Sequence, residues 1–505
     1  MISLIYSAAI NGIDANLIEV ETYISSGMPV FSIVGLPDAA VKESRDRVVA
    51  ALKNSGFDFP SKRITVNLAP ADIKKEGGSF DLPIALGILS SCGKINKDKL
   101  KCFCASGELA LDGSIRKVKG ILPIALGLKK NGIKSFIIPF LNKEEAAVAK
   151  DISVYPFKNL SEVVKFINGE IMLEPFVYDV GSFDESVESE YDFADIKGQL
   201  AAKRAAEIAA AGSHNIIMSG PPGSGKTMIA KRISGILPNM SFDESVETTK
   251  IWSASGHSFS GGLIKQRTFR NPHHTASAIA LAGGGNYPKP GEVSLAHNGV
   301  LFLDEFAEFR RDALEILRQP LEDKQISVSR AKSSITFPAS FMLVAAMNPC
   351  PCGNLGHREK QCSCNPYQVQ KYKNKISGPL LDRIDIHIEV PALKVSELAQ
   401  MNASGESSSE IRKRVVKARE KQTERFKKSK IYANAQMSAK DIKKFCVLDE
   451  KAEETLKTAI EKFNFSARAY DRILKVARTI ADLENSETIK SGHIAEAIRY
   501  RSLDR

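Results

Sequence analysis

Cysteine is scarce in this chain, with eight among 505 residues. The pairs Cys102/Cys104, Cys350/Cys352 and Cys362/Cys364 are too close in sequence for a disulfide framework, so a reducing, cytoplasmic compartment is expected. No basic n-region opens the chain, and Asp14 and Glu19 come early, so a signal peptide is not expected. Ile208–Gly225 lacks Asp, Glu, Lys and Arg, yet Gly, Pro, Ser and His interrupt it, which excludes a membrane span there. No solenoid-type repeat occurs. Disorder is excluded by composition: 43% of residues are hydrophobic, 26% are charged, and the mean hydropathy is −0.15. A chain of this length has room for roughly three domains.

Basic residues outnumber acidic ones by 70 to 59, a net charge of +11. Thirteen cations and three acids fall between Arg412 and Lys444, so that stretch alone carries +10. A concentrated basic segment suggests a polyanionic partner, with nucleic acid first, or else a solvated helix face. The opposite bias marks Glu174–Asp195, with eight acids and no basic residue; it is expected to be a linker.

These shifts divide the chain. Residues 1–173 alternate short β-rich runs with helical stretches, and the acidic linker covers 174–195. Residues 196–392 alternate apolar strands with helices, the pattern of a parallel α/β sheet, and 393–505 are largely helical. The core strands are expected at Asn215–Ser219, Gly299–Leu303, Phe341–Met347 and Ile384–Val390.

The strongest motif is Gly220-Pro221-Pro222-Gly223-Ser224-Gly225-Lys226-Thr227, a complete G-x-x-x-x-G-K-[ST] between an apolar strand and a helix. Glycines let the backbone wrap phosphates, and the N–H groups with the helix N-terminus supply positive potential. Lys226 is expected on the β- and γ-phosphates of ATP, and the Thr227 hydroxyl on Mg²⁺. The apolar strand Gly299–Leu303 delivers Asp304 and Glu305 at its C-terminal end, where α/β sheets bind ligands. Asp304 is expected to hold Mg²⁺ and Glu305 to polarise the attacking water. Asn348, ending the Phe341–Met347 strand, is placed to orient that water.

This combination resembles the AAA+ ATPases, in the branch of the magnesium-chelatase ATPase subunit and the MCM helicases. The resemblance implies that Ser377–Pro391 carries an arginine finger, Arg383, reaching a neighbouring subunit's ATP. It also implies that Phe465–Leu474 is a second-sensor helix contacting the γ-phosphate through Arg468, with Arg472 the competing choice. The stretches GLPDAAVKESRDRV (35–48), NLAPADIKKEGGSFDLPIALGIL (67–89), ADIKGQLAAKRAAEIAAAGSHN (194–215), RTFRNPHHTASAIALAGGG (267–285) and NPCPCG (348–353) resemble the ComM/YifB family of Mg-chelatase-like proteins over nearly the whole chain. That resemblance implies a homo-hexameric bacterial ATPase acting on single-stranded or branched DNA, with branch migration during natural transformation, and no membrane association. It also implies two elements facing a central pore: a loop inserted within 269–292, and a hairpin at 325–338 carrying Arg330 and Lys332. His273 and His274 are read as loop packing or DNA contact, because adjacent side chains diverge too far to share a metal.

Cys350, Cys352, Cys362 and Cys364 bracket a short loop; four thiols in a reducing cell point to a closed tetrahedral zinc site, or else to packed thiols. Residues 1–173 resemble a Lon-protease-like domain. Ser79 stands at the nucleophile position, but Leu122 stands at the lysine position, with Lys117 and Lys119 out of register, so a degenerate, non-peptidase domain is expected. The overall expectation is α/β: this N-terminal domain, an AAA+ core and a helical C-terminal lid. The alternative to a DNA motor is an ATPase driving metal insertion into a porphyrin.

Overall fold

Alternating apolar and polar residues along Ile2–Asn11 (β1) and Asp14–Ser25 (β2) form a long antiparallel hairpin, paired from Ile2↔Tyr23 to Asn11↔Asp14. Gly12, at φ +66°, opens its two-residue turn, a position that requires positive φ. The computed structural model describes residues 2–179, 191–257, 259, 261–285, 288–330, 333–357, 359–392, 405–427, 429 and 431–501. The chain divides into two compact units, Met1–Glu185 with Ser241–Lys265, and Ser186–Met240 with Gln266–Arg505.

The first unit is built on a seven-stranded mixed sheet. With Val30–Val34 as β3, Arg63–Ala69 as β4, Phe103–Ala105 as β5, Ser135–Pro139 as β6 and Ser153–Phe157 as β7, its order is β3-β4-β2-β1-β5-β6-β7. Helix Asp81–Ser91 buries ten of its eleven residues against the hairpin, where Gly87 lets the backbone approach: a Cβ there would lie 2.4 Å from Thr22 Oγ1. Ser79 falls in a 3-10 turn, Gly78–Phe80. Leu122 is fully buried, its N–H donating to Glu145 Oε1 (3.1 Å).

Helix Phe242–Ser255 belongs to this first unit although it follows the P-loop in sequence. A Ser241/Glu244 capping box starts it, and it lies with Leu263 over Leu122 and Val148. Ser253 Oγ donates to buried Glu145. The expected core, 196–392, therefore contains a segment that folds with the N-terminal unit. The position that needs a lysine for peptidase chemistry is sealed beneath apolar side chains.

The second unit carries a five-stranded, wholly parallel sheet. Its strands are Ile216–Ser219 (β8), Phe269–Arg270 (β9), Val300–Leu303 (β10), Met342–Met347 (β11) and Ile386–Glu389 (β12), in the order β9-β10-β11-β8-β12. β8, β10 and β11 are buried along their whole length, as strands covered on both faces must be. Helices Ser408–Arg425, Glu450–Phe463, Ala467–Leu483 and Ser491–Arg499 pack with helix Leu200–Gly212 into the same hydrophobic core. The tail of the expected linker is also structural. Phe193 is fully buried in that core, and Arg232, on the P-loop helix, bonds Asp192 O (2.5 Å) and Asp195 Oδ2 (2.8 Å).

Candidate nucleotide site

The P-loop joins β8 to helix Lys226–Ile236. Gly223 and Gly225 adopt φ +77° and +90°, and a Cβ on Gly220 would lie 2.1 Å from Val390 O, so glycine is required by conformation at two positions and by space at the third. Lys226, 8% exposed, donates through Nζ to Gly220 O (2.7 Å) and Pro221 O (2.9 Å). Burial pushes its pKa below the ordinary lysine value, and Asp304 opposes this. Thr227 Oγ1 donates to Asp304 Oδ2 (2.8 Å), which sets the two expected Mg²⁺ ligands side by side. Asp304 Oδ1 accepts the N–H of Glu305 (2.9 Å), and Glu305 sits in the left-handed region at φ +52°. Parallel register brings Asn348, after β11, to the same edge; Gly220 N–H donates to the adjacent Met347 O (3.2 Å). The geometry thus gathers Lys226, Thr227, Asp304, Glu305 and Asn348 at one edge of the sheet.

Two further residues complete this edge: motif reading passed over Gln199 and read His274 as loop packing or DNA contact. Gln199 Nε2 donates to Ser224 O (3.2 Å) and Pro391 O (2.7 Å), tying the chain after β12 to the P-loop. Its φ of +52° leaves no trace in residue type. His274 Nδ1 lies 2.7 Å from Glu305 Oε2, so this histidine pairs with the carboxylate expected to polarise the attacking water.

Arg383, Arg468 and Arg472 lie elsewhere. Asp385 and Ile386 N–H groups bond Asn215 O, at the start of β8, whereas the P-loop leaves its end. Arg472 Nη1 holds Asp385 (2.8 Å), Arg468 faces Asp382 (3.8 Å), and Arg383 pairs with Glu322. All three line a cleft of about 160 Å³ with Glu322, Asp382, Asp471 and Lys475. About five residues of strand, roughly 16 Å, separate that edge from the P-loop. Arg468, expected to contact the γ-phosphate, thus sits beside Arg383 and Arg472 in this cleft. Burial alone would raise the Asp385 carboxyl, but Arg472 and His214 outweigh it and hold Asp385 well below the usual carboxylate range.

The basic tail changes its meaning as well. Arg414 pairs with Glu207 and Arg412 with Asn239, holding the lid to the core, while Arg414 also pairs with Glu406 and Arg425 with Asp482 within the lid. Lys413, Lys417, Lys427, Lys440, Lys443 and Lys444 stay exposed. Arg330 ends strand Gln325–Arg330 of the expected hairpin, paired with Ser333–Pro338; Lys332 and the Arg330 side chain lie outside the described residues.

The sulfurs of Cys350, Cys352, Cys362 and Cys364 all lie within 4.8 Å of one another, with separations of 3.4, 3.6 and 3.7 Å among the first three. Four thiolates around one tetrahedral zinc would be about 3.8 Å apart, given Zn–S near 2.3 Å. Backbone N–H groups of Asn354 and Ser363 pull the Cys352 thiol down to about 5, whereas burial and the neighbouring sulfurs hold Cys362 and Cys364 above the ordinary thiol value. The cluster can hold a metal. It adjoins the P-loop, since a Cβ on Gly353 would lie 2.7 Å from Pro222 Cδ.

Comparison with known families agrees with this layout. The family described as magnesium chelatase, subunit ChlI, matches residues 192–398; subunit ChlI of Mg-chelatase matches 20–142; and the ChlI C-terminal family matches 405–501. The chain is 46% identical to competence protein ComM of Haemophilus influenzae over 506 residues, covering 100% of this chain and 98% of that protein. It is 43% identical to the uncharacterized protein YifB of Escherichia coli, with the same coverage. Over 135 residues, 26% of this chain and 23% of the relative, it is 29% identical to Lon protease 2 of Bacillus subtilis.

Proposed function

This chain belongs to the ComM/YifB family of magnesium-chelatase-like AAA+ proteins, and from that premise we propose that it is an ATP-hydrolysing ring motor acting on DNA. The AAA+ family implies ATPase activity. The observation that carries the ring reading is the separation of Arg383, Arg468 and Arg472 from their own P-loop. Arginines at one sheet edge with phosphate-binding groups at the other give a unit that supplies half of each of two active sites, and a closed ring satisfies every half. A hexamer is the ring this family resemblance favours. In such a site Thr227 and Asp304 hold Mg²⁺, which neutralises phosphate charge. Lys226 grips the phosphates, Glu305 and Asn348 orient the water, and the neighbour's Arg383 stabilises transition-state charge. The 46% identity to a protein named for competence supports DNA as the track and a cytoplasmic role in recombination or branch migration. Among the described residues no helix is long and apolar enough to cross a membrane. The chelatase-like alternative, ATP-driven metal insertion, is favoured by the names of the three matching families.

The two readings part on nucleic acid. A motor on arbitrary sequence grips phosphates, so single-stranded and branched oligonucleotides should stimulate the ATPase, with little sequence preference. Binding measured by fluorescence anisotropy should weaken linearly in log salt, with a slope of about −0.7 per phosphate contact on single strands. Replacing Arg330 and Lys332 with Ala should flatten that slope by about one to two units. A flat salt response would put the chelatase-like reading first.

We assign the four-cysteine cluster to a structural zinc ion whose loop braces the P-loop at Pro222. Purified protein should carry one zinc per chain by elemental analysis, and Cys352→Ser with Cys362→Ser should remove it and lower the melting temperature. A metal content near zero in protein purified under reducing conditions would contradict the assignment.

A further inference from the structure

The seven-stranded sheet of the first unit ends in two unlike edges. At one stands β3, and among the described residues no strand pairs with it except β4. Proteins usually blunt such an edge with charge, bulges or cover, because its open N–H and C=O groups invite another chain. Residues 22–37, which include β3, carry no charged side chain. Met28 is 84% exposed, and Val30, Val34 and Leu36 stay exposed after it. Register sets Ser32, Thr65 and Tyr23 in one row, so exposed Tyr23 shares the face of Val30 and Val34.

The opposite edge is β7, which Phe176 covers by donating its N–H to Val154 O (2.8 Å). The segment leading there, 171–174, has no backbone hydrogen bond to any described residue. Pro175 biases Glu174 toward extended backbone, the shape that a strand edge accepts. Met172 is 98% exposed and Val177 80%. Charge completes the match. Residues 169–179 hold Glu170, Glu174 and Asp179 with no cation, while Lys62 and Arg63 are exposed beside β3, Arg63 in register with Val30.

We propose that segment 171–177 of one copy of this chain adds as a strand to the β3 edge of a second copy. Its apolar side chains then cover Val30 and Val34, and Glu174 faces Arg63 and Lys62. The segment and the edge are different surfaces, so every copy offers both and the contact runs head to tail. Such a contact closes into a ring or grows into a filament. The pairing rests on the two edges; only its closure rests on the ring reading above.

The test is sedimentation velocity of the full-length protein over a concentration series, with and without ATP. The parent should associate, and Val34→Lys should weaken association by about tenfold or more, the scale of a charge set into an apolar contact. Arg63→Glu and Glu174→Arg should each weaken it by about fivefold through like-charge repulsion, and the two together in one chain should restore it. These side chains are exposed, so the variants should melt at the parent's temperature. In a mixture of isotope-labelled and unlabelled chains, carbodiimide should join Glu174 to Lys62 between copies, read as mixed-isotope peptides by mass spectrometry. Val34→Lys associating like the parent, or a double variant no better than the singles, would overturn the pairing and leave a ring held by other contacts. Loss of oligonucleotide binding in Val34→Lys without loss of association would give the edge to nucleic acid and overturn it too. Edge-dependent association that grows without limit as concentration rises would keep the pairing and remove the closed ring. A parent that stays monomeric with ATP would overturn both.

Discussion

Glu305→Gln is expected to leave ATP binding intact while lowering kcat by about 10²- to 10⁴-fold, the range that a positioned base contributes. Glutamine keeps the shape of the side chain and its reach to His274 but cannot accept a proton from water. Asp304, bonded to Thr227 Oγ1 at 2.8 Å, is untouched, so the expected Mg²⁺ ligands remain in place. Lys226→Ala should act earlier. Its ammonium is one of the few buried cations at this edge, and losing it should weaken nucleotide affinity by about 100-fold, the cost of one charge-assisted contact to phosphate. Binding of a fluorescent ATP analogue, set beside phosphate release, separates the two outcomes. Normal turnover by the Glu305→Gln protein would show that another group activates the water and would remove the Asp304/Glu305 assignment.

Arg383→Ala should bind ATP nearly as well as the parent and hydrolyse it about 10³-fold more slowly or worse. Arg383 lies beyond the start of β8, at the far edge of the sheet from Lys226, so its loss leaves the chain's own P-loop unchanged. Mixing is the decisive step. Arg383→Ala subunits retain an intact P-loop, and Lys226→Ala subunits retain an intact arginine. Neither hydrolyses alone, yet a mixed ring contains junctions where the two intact halves meet. ATPase activity should therefore reappear and peak at an intermediate mixing ratio. Arg472→Ala carries an added cost, since it leaves Asp385, 1% exposed, without its strongest cationic partner, and the lid should loosen as well. Absence of recovery at every ratio would show that Arg383 acts within its own chain or serves only its pair with Glu322.

Much of the candidate nucleotide edge was legible in the sequence because its motifs are local. Gly220–Thr227 is contiguous, and an apolar strand that ends in two acids places them by its own alternation and length. The comparisons confirm the family that these motifs suggested. Charge, by contrast, was only half legible. The run from Arg412 to Lys444 is basic in sequence, yet Arg412, Arg414 and Arg425 turn inward to Asn239, Glu207 and Asp482, more than fifty residues away in each case.

The sequence by itself determined that this chain carries a P-loop motif, an acidic strand end, an asparagine closing the next core strand and two close cysteine pairs, because each is written in neighbouring residues. Only the tertiary structure decided what meets what. It packed Phe242–Ser255 over Leu122 in the N-terminal unit, set Arg468 beside Arg383 at the sheet edge away from the P-loop, and put His274 on Glu305. Each of these contacts depends on strand order and crossover direction, and a side chain's neighbours across a parallel sheet leave no signal in the residues beside it.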